Sequence, residues 1–173
     1  MSTALRHEGA SGTGLATLTA DGTVLDTWFP EPALGPDAPD LAADLAPLAG
    51  KDEPREVTTV VVRTAIESLA DPPVDAHDVY LRLHLLSHRI VAPHEVTLTG
   101  LFALLANVVW TDRGPCALPG FERTRARLRA AGPVTVLSVD RFPRMVDYVV
   151  PSGVRIADAT ACGWARTSRP APP

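Results

Sequence analysis

Residues 57–91 of this chain read VTTVVVRTAIESLADPPVDAHDVYLRLHLLSHRIV. The opening residues 57–63 are mostly β-branched, which favours a strand. Residues 75–91 predict a helix, since Asp75 can cap the start and Pro93 lies just past the end. Apolar side chains there recur at helical spacing and form one stripe: Val79, Leu83, Leu86 and Ile90. A strand followed by such a helix predicts a mixed class, α/β (α+β).

The segment before this stretch predicts a β-hairpin and then a loop. Residues 14–29 form two Thr-rich runs around Asp21-Gly22, a pair that tolerates the positive φ of a tight turn. Residues 30–56 hold six prolines and many acids. This composition predicts an irregular Pro-rich loop with one short helix around residues 41–48.

The segment after this stretch continues the mixture of helices and strands. We expect helices at residues 100–106 and 121–131, the second stopped by Gly132-Pro133. We expect strands at residues 107–111, 134–139 and 145–156. Residues 14–150 therefore predict one domain, with a flexible segment at 1–13. Residues 160–173 have no apolar periodicity and predict a disordered tail.

Composition limits the functional classes. The chain has 173 residues, a net charge of −4 and 46% hydrophobic residues, so we expect a packed core and no nucleic-acid partner. It contains no apolar run long enough for a transmembrane helix, and its N-terminus does not resemble a signal peptide. The two cysteines, Cys116 and Cys162, cannot form a disulfide scaffold, so a cytoplasmic location is expected.

One pair of histidines has a spacing that suits a metal. His84 and His88 stand four residues apart on the predicted helix. A zincin would need a glutamate next to the first histidine, and Leu85 stands there. Metal sites need three or four convergent ligands, and no third ligand is evident. Packing or surface histidines are the better interpretation, and Tyr80, one turn earlier, fits a structural polar cluster.

Two other groups of residues are candidates for chemical sites. Cys116 has no recognisable base, so a small buried thiol is favoured over a nucleophile. The helix at 121–131 carries four arginines that could face a phosphate or coenzyme, although a solvated basic helix is more typical: Arg123, Arg125, Arg127 and Arg129. Trp28, Trp110 and Phe142 are interpreted as core or interface aromatics.

Three groups of segments resemble the actinobacterial type of tetrahydrodipicolinate N-succinyltransferase. The first is DVYLRLHLLSHRIVAPH at residues 78–94. The second combines Gly100-Leu-Phe with NVVWT at 107–111 and GPCA at 114–117. The third combines GPVTV at 132–136 with DRFPRMVDYVVPSGVRIAD at 140–158. The resemblance covers residues 14–159 apart from the Pro-rich loop.

The resemblance implies an acyltransferase of lysine and diaminopimelate biosynthesis. Members of this family move a succinyl group from succinyl-CoA to the amino group of acyclic 2-amino-6-oxopimelate. They are homotrimers in which an N-terminal α/β domain precedes a left-handed parallel β-helix. Catalytic and coenzyme residues lie in the β-helices of neighbouring subunits, and acidic residues near the trimer axis hold a metal, usually Mg²⁺.

The resemblance stops where that β-helix should begin, at residues 151–159. Hexapeptide repeats and the catalytic glutamate are absent from the sequence, and Thr160 stands where the family has a metal-binding aspartate. No catalytic, cofactor-binding or metal residue is therefore carried over to this chain. Two hypotheses remain: a truncated succinyltransferase, inactive alone, or a non-catalytic binding or regulatory domain derived from the same fold.

A frameshift would explain residues 160–173. The family typically continues after Ile-Ala-Asp-Ala with Asp-Arg-Val-Arg-Leu-Gly-Ala-His-Leu-Ala-Pro-Gly-Thr-Thr-Val-Met. Written in G/C-rich codons with the first G removed, that text translates as Thr-Ala-Cys-Gly-Trp-Ala-Arg-Thr-Ser-Arg-Pro-Ala-Pro-Pro and a stop, which is the tail of this chain. Without a β-helix to pack against, we expect residues 145–156 to leave an apolar edge and the chain to form no stable trimer.

Overall fold

Two antiparallel sheets and one central helix make up the fold in this computed structural model, which describes residues 4–156. The first sheet has the order β2-β1-β5-β4, and β3 pairs with the other end of β1. Its strands are β1 (Ala10–Thr19), β2 (Val24–Trp28), β3 (Ala33–Leu34), β4 (Gly50–Asp52) and β5 (Val57–Ile66). The second sheet has the order β7-β6-β8. Its strands are β6 (Val108–Thr111), β7 (Gly114–Ala117) and β8 (Val136–Asp140).

The helices are few and mostly short. The central helix is α2 (Ala76–Ser87), and the others are α1 (Ala42–Leu45), α3 (Leu101–Leu104) and α4 (Phe121–Leu128). Turns of 3-10 helix occupy Ala46–Leu48, Arg129–Ala131 and Met145–Asp147. Every strand pair described is antiparallel, so the predicted mixed class is confirmed and is of the α+β kind.

Helix α2 forms the centre of the larger core. Asp75 caps it as predicted, since its carboxylate accepts a hydrogen bond from the Asp78 backbone N–H at 2.8 Å. The helix ends at Ser87, four residues earlier than predicted, because Arg89 takes a positive φ and turns the chain. Its burial extends beyond the predicted stripe to nearly all sides: Ala76, Asp78, Val79, Tyr80, Leu81, Arg82, Leu83, His84 and Leu85 are buried.

The predicted hairpin is confirmed, and β1 is longer than predicted. It begins at Ala10, within the segment expected to be flexible, and pairs with β5 over its whole length. Strand β1 also packs closely against Phe29, the residue after β2. A methyl group added at Gly14 would lie 2.7 Å from Phe29 Cδ1, so glycine is needed there. The 30–56 segment, predicted as an irregular loop with one short helix, contains α1 inside the expected helix and also the short strands β3 and β4.

Two features of the second half differ from the prediction. Strand β7 was missed, because Gly114 and Pro115 are unusual inside a strand; as an edge strand it tolerates the missing proline N–H. The strand predicted at residues 145–156 is wrong, since Met145–Asp147 is a turn of 3-10 helix. Met145 is buried in the first core and Val149 is 3% exposed, so these two do not form the expected apolar edge, whereas Val150 is exposed. The tail at 160–173 lies outside the described residues.

Candidate functional site

A buried polar cluster joins the end of β2, the middle of α2 and the turn at Met145–Asp147. We call it the Asp26–Tyr148 cluster; it consists of Asp26, Trp28, His84 and Tyr148. The Tyr148 hydroxyl donates a hydrogen bond to Asp26 Oδ2 at 2.5 Å. The indole N–H of Trp28 donates to the backbone oxygen of Tyr148 at 3.2 Å. Two residues of one strand, on the same side of it, thereby hold a residue 120 or more positions later in the chain.

The Asp26 carboxyl is the unusual member of this cluster. It is only 6% exposed, and its Oδ1 is buried without a hydrogen bond among the described residues. Burial raises the pKa of Asp26, while Thr17, Tyr148 and the charge of Arg55 act in the opposite direction. The structure records no ion pair for this carboxyl among residues 4–156, so protonation is the natural way to relieve the cost of burying it.

His84 is locked in one neutral form. Its Nδ1 lies 2.7 Å from the Tyr80 carbonyl oxygen and therefore donates to it, while Nε2 accepts from the Phe29 backbone N–H at 3.2 Å. Burial lowers the pKa of His84 to about 4. Its ring meets the rings of Phe29 and Tyr148 edge-on, with centroids 5.6 and 5.8 Å away. Both ring nitrogens form hydrogen bonds inside the fold. His84 is therefore a packing histidine, as the sequence indicated.

The spacing of His84 and His88 has a structural reason. Burial lowers the pKa of His88 too, and a hydrogen bond with the Phe29 backbone acts in the opposite direction. Both histidines thus contact the backbone of the residue that follows β2, one helical turn apart. Among residues 4–156, no three side chains of His, Cys, Asp or Glu are placed to hold a metal ion. These residues therefore do not fit the Mg²⁺ that the resemblance implies.

A second buried polar group stabilises the start of α2. Arg82 is 1% exposed, and its Nε donates to Asp78 Oδ1 at 2.6 Å. Its Nη1 donates to the carbonyl oxygens of Leu69 and Thr97 at 3.0 and 2.9 Å. Asp78 Oδ2 in turn accepts from the Val74 backbone N–H. The Asp78–Arg82 ion pair therefore connects α2 to the segments that contain Leu69 and Thr97. Both charged groups are hydrogen-bonded within the fold.

Cys116 has the properties of a structural thiol. Its side chain lies in the small second core, with no measurable exposure, and burial raises its pKa. A nucleophilic cysteine needs the opposite shift, since the thiolate is the reactive form. The predicted small buried thiol is therefore confirmed.

The four arginines of the α4 region do not converge. Arg127 pairs with Glu56 at 2.7 Å and donates to the Pro54 carbonyl oxygen. Arg125 lies over the Phe121 ring, 4.8 Å from its centroid, whereas Arg123 and Arg129 are exposed. Beside α4 lies an open, mainly apolar groove of about 540 Å³, lined by Val109, Leu118, Gly120, Phe121, Glu122, Arg123, Arg125, Val136 and Val139. Arg123 and Arg125 line this groove, whereas Arg127 pairs with Glu56, so the four arginines do not form one cluster.

The aromatic residues follow the prediction in part. Trp110 is 5% exposed, and its indole N–H donates to the Asp140 carbonyl oxygen across the second sheet. Phe142 packs against the main core, and its ring lies 6.1 Å from that of Phe102. Trp28 has the more specific contact with Tyr148 described above. Sequence analysis missed Asp26, although an acid between Leu25 and Thr27 in a predicted strand is a signal for a buried carboxyl.

The described residues show no membrane-crossing helix. None of the helices within residues 4–156 is both long enough and apolar enough to span a bilayer.

Comparison with known proteins identifies relatives for nearly the whole chain. Residues 105–144 match the family model described as the middle part of tetrahydrodipicolinate N-succinyltransferase. A 2,3,4,5-tetrahydropyridine-2,6-dicarboxylate N-succinyltransferase of Salinispora tropica is 52% identical over 163 residues, which cover 88% of this chain and 51% of the relative. A protein of the same name from Vibrio cholerae is 37% identical over 185 residues, covering 87% of this chain and 53% of the relative.

The fold has a counterpart among solved structures. The crystal structure of a putative 2,3,4,5-tetrahydropyridine-2-carboxylate N-succinyltransferase from Campylobacter jejuni matches with a TM-score of 0.68. The match covers 92% of this chain and 54% of the other, at 18% identity, so it supports the fold alone. The chain spans about half the length of the curated relatives it matches.

Proposed function

The chain belongs to the tetrahydrodipicolinate N-succinyltransferase family, and from that membership we propose that it is the N-terminal half of such an enzyme. The observation that carries the proposal is the 52% identity over 163 residues to the Salinispora tropica protein. That match covers 88% of this chain, which argues for the same parent enzyme and not only the same fold.

The proposed reaction is the transfer of a succinyl group from succinyl-CoA to the amino group of acyclic 2-amino-6-oxopimelate. The amine nitrogen forms a bond to the thioester carbonyl carbon, the carbon–sulfur bond breaks, and coenzyme A leaves as the thiol with the proton that the amine gives up. Such a transfer depends on groups that orient amine and thioester and that stabilise the oxyanion.

This chain's described residues are proposed to support that chemistry indirectly. Two of the buried polar side chains, Arg82 and His84, form hydrogen bonds to backbone groups within the fold. We therefore propose that the residues which contact substrate, coenzyme and Mg²⁺ belong to the other half of the family's length, in a homotrimer. The 173-residue chain alone is accordingly expected to have no succinyltransferase activity.

A thiol-release assay tests this proposal. The purified chain, given succinyl-CoA and the pimelate substrate, should release thiol at the background rate. The matched comparison is the product of the same gene with one base restored next to the Thr160 codon, which should turn over. Turnover by the 173-residue chain would contradict the proposal that the residues contacting substrate and coenzyme lie in the other half of the family's length. Inactivity of a folded, restored product would contradict the assigned reaction and favour the non-catalytic domain.

A further inference from the structure

We propose that Asp26 and Tyr148 form a pH-sensitive latch, which holds residues 145–149 against strand β2 and loosens as the pH rises. The proposal concerns the described residues alone and does not depend on the proposed function. It starts from a buried carboxyl without an ion pair, placed at the contact between the first sheet and the last turn of helix that the structure describes.

The held segment is short, and two kinds of contact fix it. Met145 and Val149 are 4% and 3% exposed, so their side chains are anchored in the core. Tyr148 supplies the polar contacts, through its hydroxyl to Asp26 and through its carbonyl oxygen to Trp28. The next residue, Val150, is 80% exposed. Asp26 and Trp28 therefore hold this segment to the first sheet by hydrogen bonds, beside the buried Met145 and Val149.

The groups around the carboxyl offer it little compensation. On β1, Thr17 lies directly opposite Asp26 in the strand pair, and its hydrogen bonds lower the pKa of the carboxyl without offsetting the effect of burial. On α2, the Tyr80 hydroxyl donates to the Leu25 carbonyl oxygen at 2.9 Å. Also on α2, neutral His84 faces the Tyr148 ring.

The charged and titratable groups nearby are committed elsewhere. Arg55, which precedes β5, lowers the Asp26 pKa only through its charge and is itself paired with Asp52. In the held segment, Asp147 pairs with Arg144 at 3.0 Å. On α2, His77 bonds to the Thr27 hydroxyl. An ionised Asp26 therefore depends on hydrogen bonds from Thr17 and from the Tyr148 hydroxyl, both of which lower its pKa.

The direction of the effect follows from proton linkage. In the closed segment burial raises the pKa of Asp26 above 3.8, whereas in an open segment water restores its ordinary value. The closed form therefore binds more protons between those two values, and a rise in pH through that window favours the open form. A single proton of this kind changes the opening equilibrium by up to about tenfold per pH unit.

Hydrogen exchange measures this opening directly. Amide exchange of residues 145–149 is followed by mass spectrometry from pH 4.5 to pH 8, with each rate corrected for the intrinsic pH dependence of exchange. We expect the corrected opening constant of the wild type to rise with pH and then to level off. Asp26→Asn, which keeps the shape and removes the titration, should show a flat profile. Asp147→Asn, one residue from Tyr148, should keep the wild-type slope.

A second variant covers the case in which Asp26→Asn fails to fold. Tyr148→Phe removes the hydrogen bond that lowers the Asp26 pKa, so the rise in opening should continue to a higher pH than in the wild type. A flat wild-type profile would overturn the latch. So would an equal slope in Asp26→Asn, or a Tyr148→Phe profile that coincides with that of the wild type.

Discussion

At the scale of single residues, the core of this chain is held by polar side chains whose partners are mostly backbone atoms. Arg82 and His84 lie two residues apart on α2 and are both buried. Arg82 reaches the carbonyl oxygens of Leu69 and Thr97, and His84 reaches the backbone of Phe29 and Tyr80. Composition and spacing cannot distinguish polar side chains that bind the backbone from polar side chains that bind a ligand. The difference depends on which loops lie next to α2 in the folded chain.

Neutral His84 predicts a loss of stability in mild acid. The unfolded chain protonates His84 near pH 6.5, whereas the folded chain does so only near pH 4. Between those values the unfolded state binds more protons, so the free energy of unfolding falls as the pH falls. The difference between the two pKa values corresponds to roughly 3 kcal/mol across the window.

Urea denaturation at several pH values tests this expectation. His84→Gln should lose the part of the wild-type dependence between pH 6.5 and pH 4 that His84 contributes, and His94→Gln, at an exposed position, should retain it. An NMR titration of the wild-type ring is the direct check, since protonation should be absent above about pH 5. A ring that titrates near pH 6.5 in the folded protein would contradict the buried, neutral assignment.

At the scale of secondary-structure elements, the sequence predicted what local patterns determine. The hairpin turn at Asp21-Gly22 and the cap at Asp75 depend on neighbouring residues only, and both are confirmed. Strand β7 was missed because its Gly114-Pro115 start is typical of a turn, and only pairing with β6 makes it a strand. Residues 145–156 look like a strand by β-branched content, yet burial of Met145 and Val149 in the core favours a helical turn.

Packing of β1 against the residue after β2 gives an element-scale prediction. A Cβ at Gly14 would lie 2.7 Å from Phe29 Cδ1 and 2.8 Å from the Trp28 carbonyl oxygen. Gly14→Ala should therefore lower the free energy of unfolding by about 1–3 kcal/mol through overpacking. The measurement is urea denaturation at neutral pH.

The hairpin turn supplies the control for this substitution. Gly22 has a φ of +84° and no atom within 4 Å of an added Cβ, so Gly22→Asn, which tolerates that φ, should cost less than about 1 kcal/mol. Phe29→Leu should reduce the cost of Gly14→Ala, because it removes the ring atoms nearest the new methyl group. Equal stability of Gly14→Ala and the wild type would show that β1 and Phe29 are not packed as described.

At the scale of the whole molecule, residues 4–156 form two antiparallel sheets, the larger of which packs against α2, and the chain spans about half the length of its curated relatives. The sequence could indicate the family because long motifs such as residues 140–158 are specific. The candidate site could not be predicted from the sequence, because the Asp26–Tyr148 cluster joins residues 122 positions apart. Only the return of the chain to β2 reveals that pairing.

We propose that this chain is the N-terminal half of a succinyltransferase whose remainder is encoded in another reading frame. Resequencing the gene across and beyond the Thr160 codon tests it most directly. We expect that restoring one base there opens a frame that continues Asp-Arg-Val-Arg-Leu-Gly and then encodes hexapeptide repeats of a β-helix. A downstream sequence that encodes no such repeats in any frame would contradict the proposal that the rest of the enzyme is encoded there.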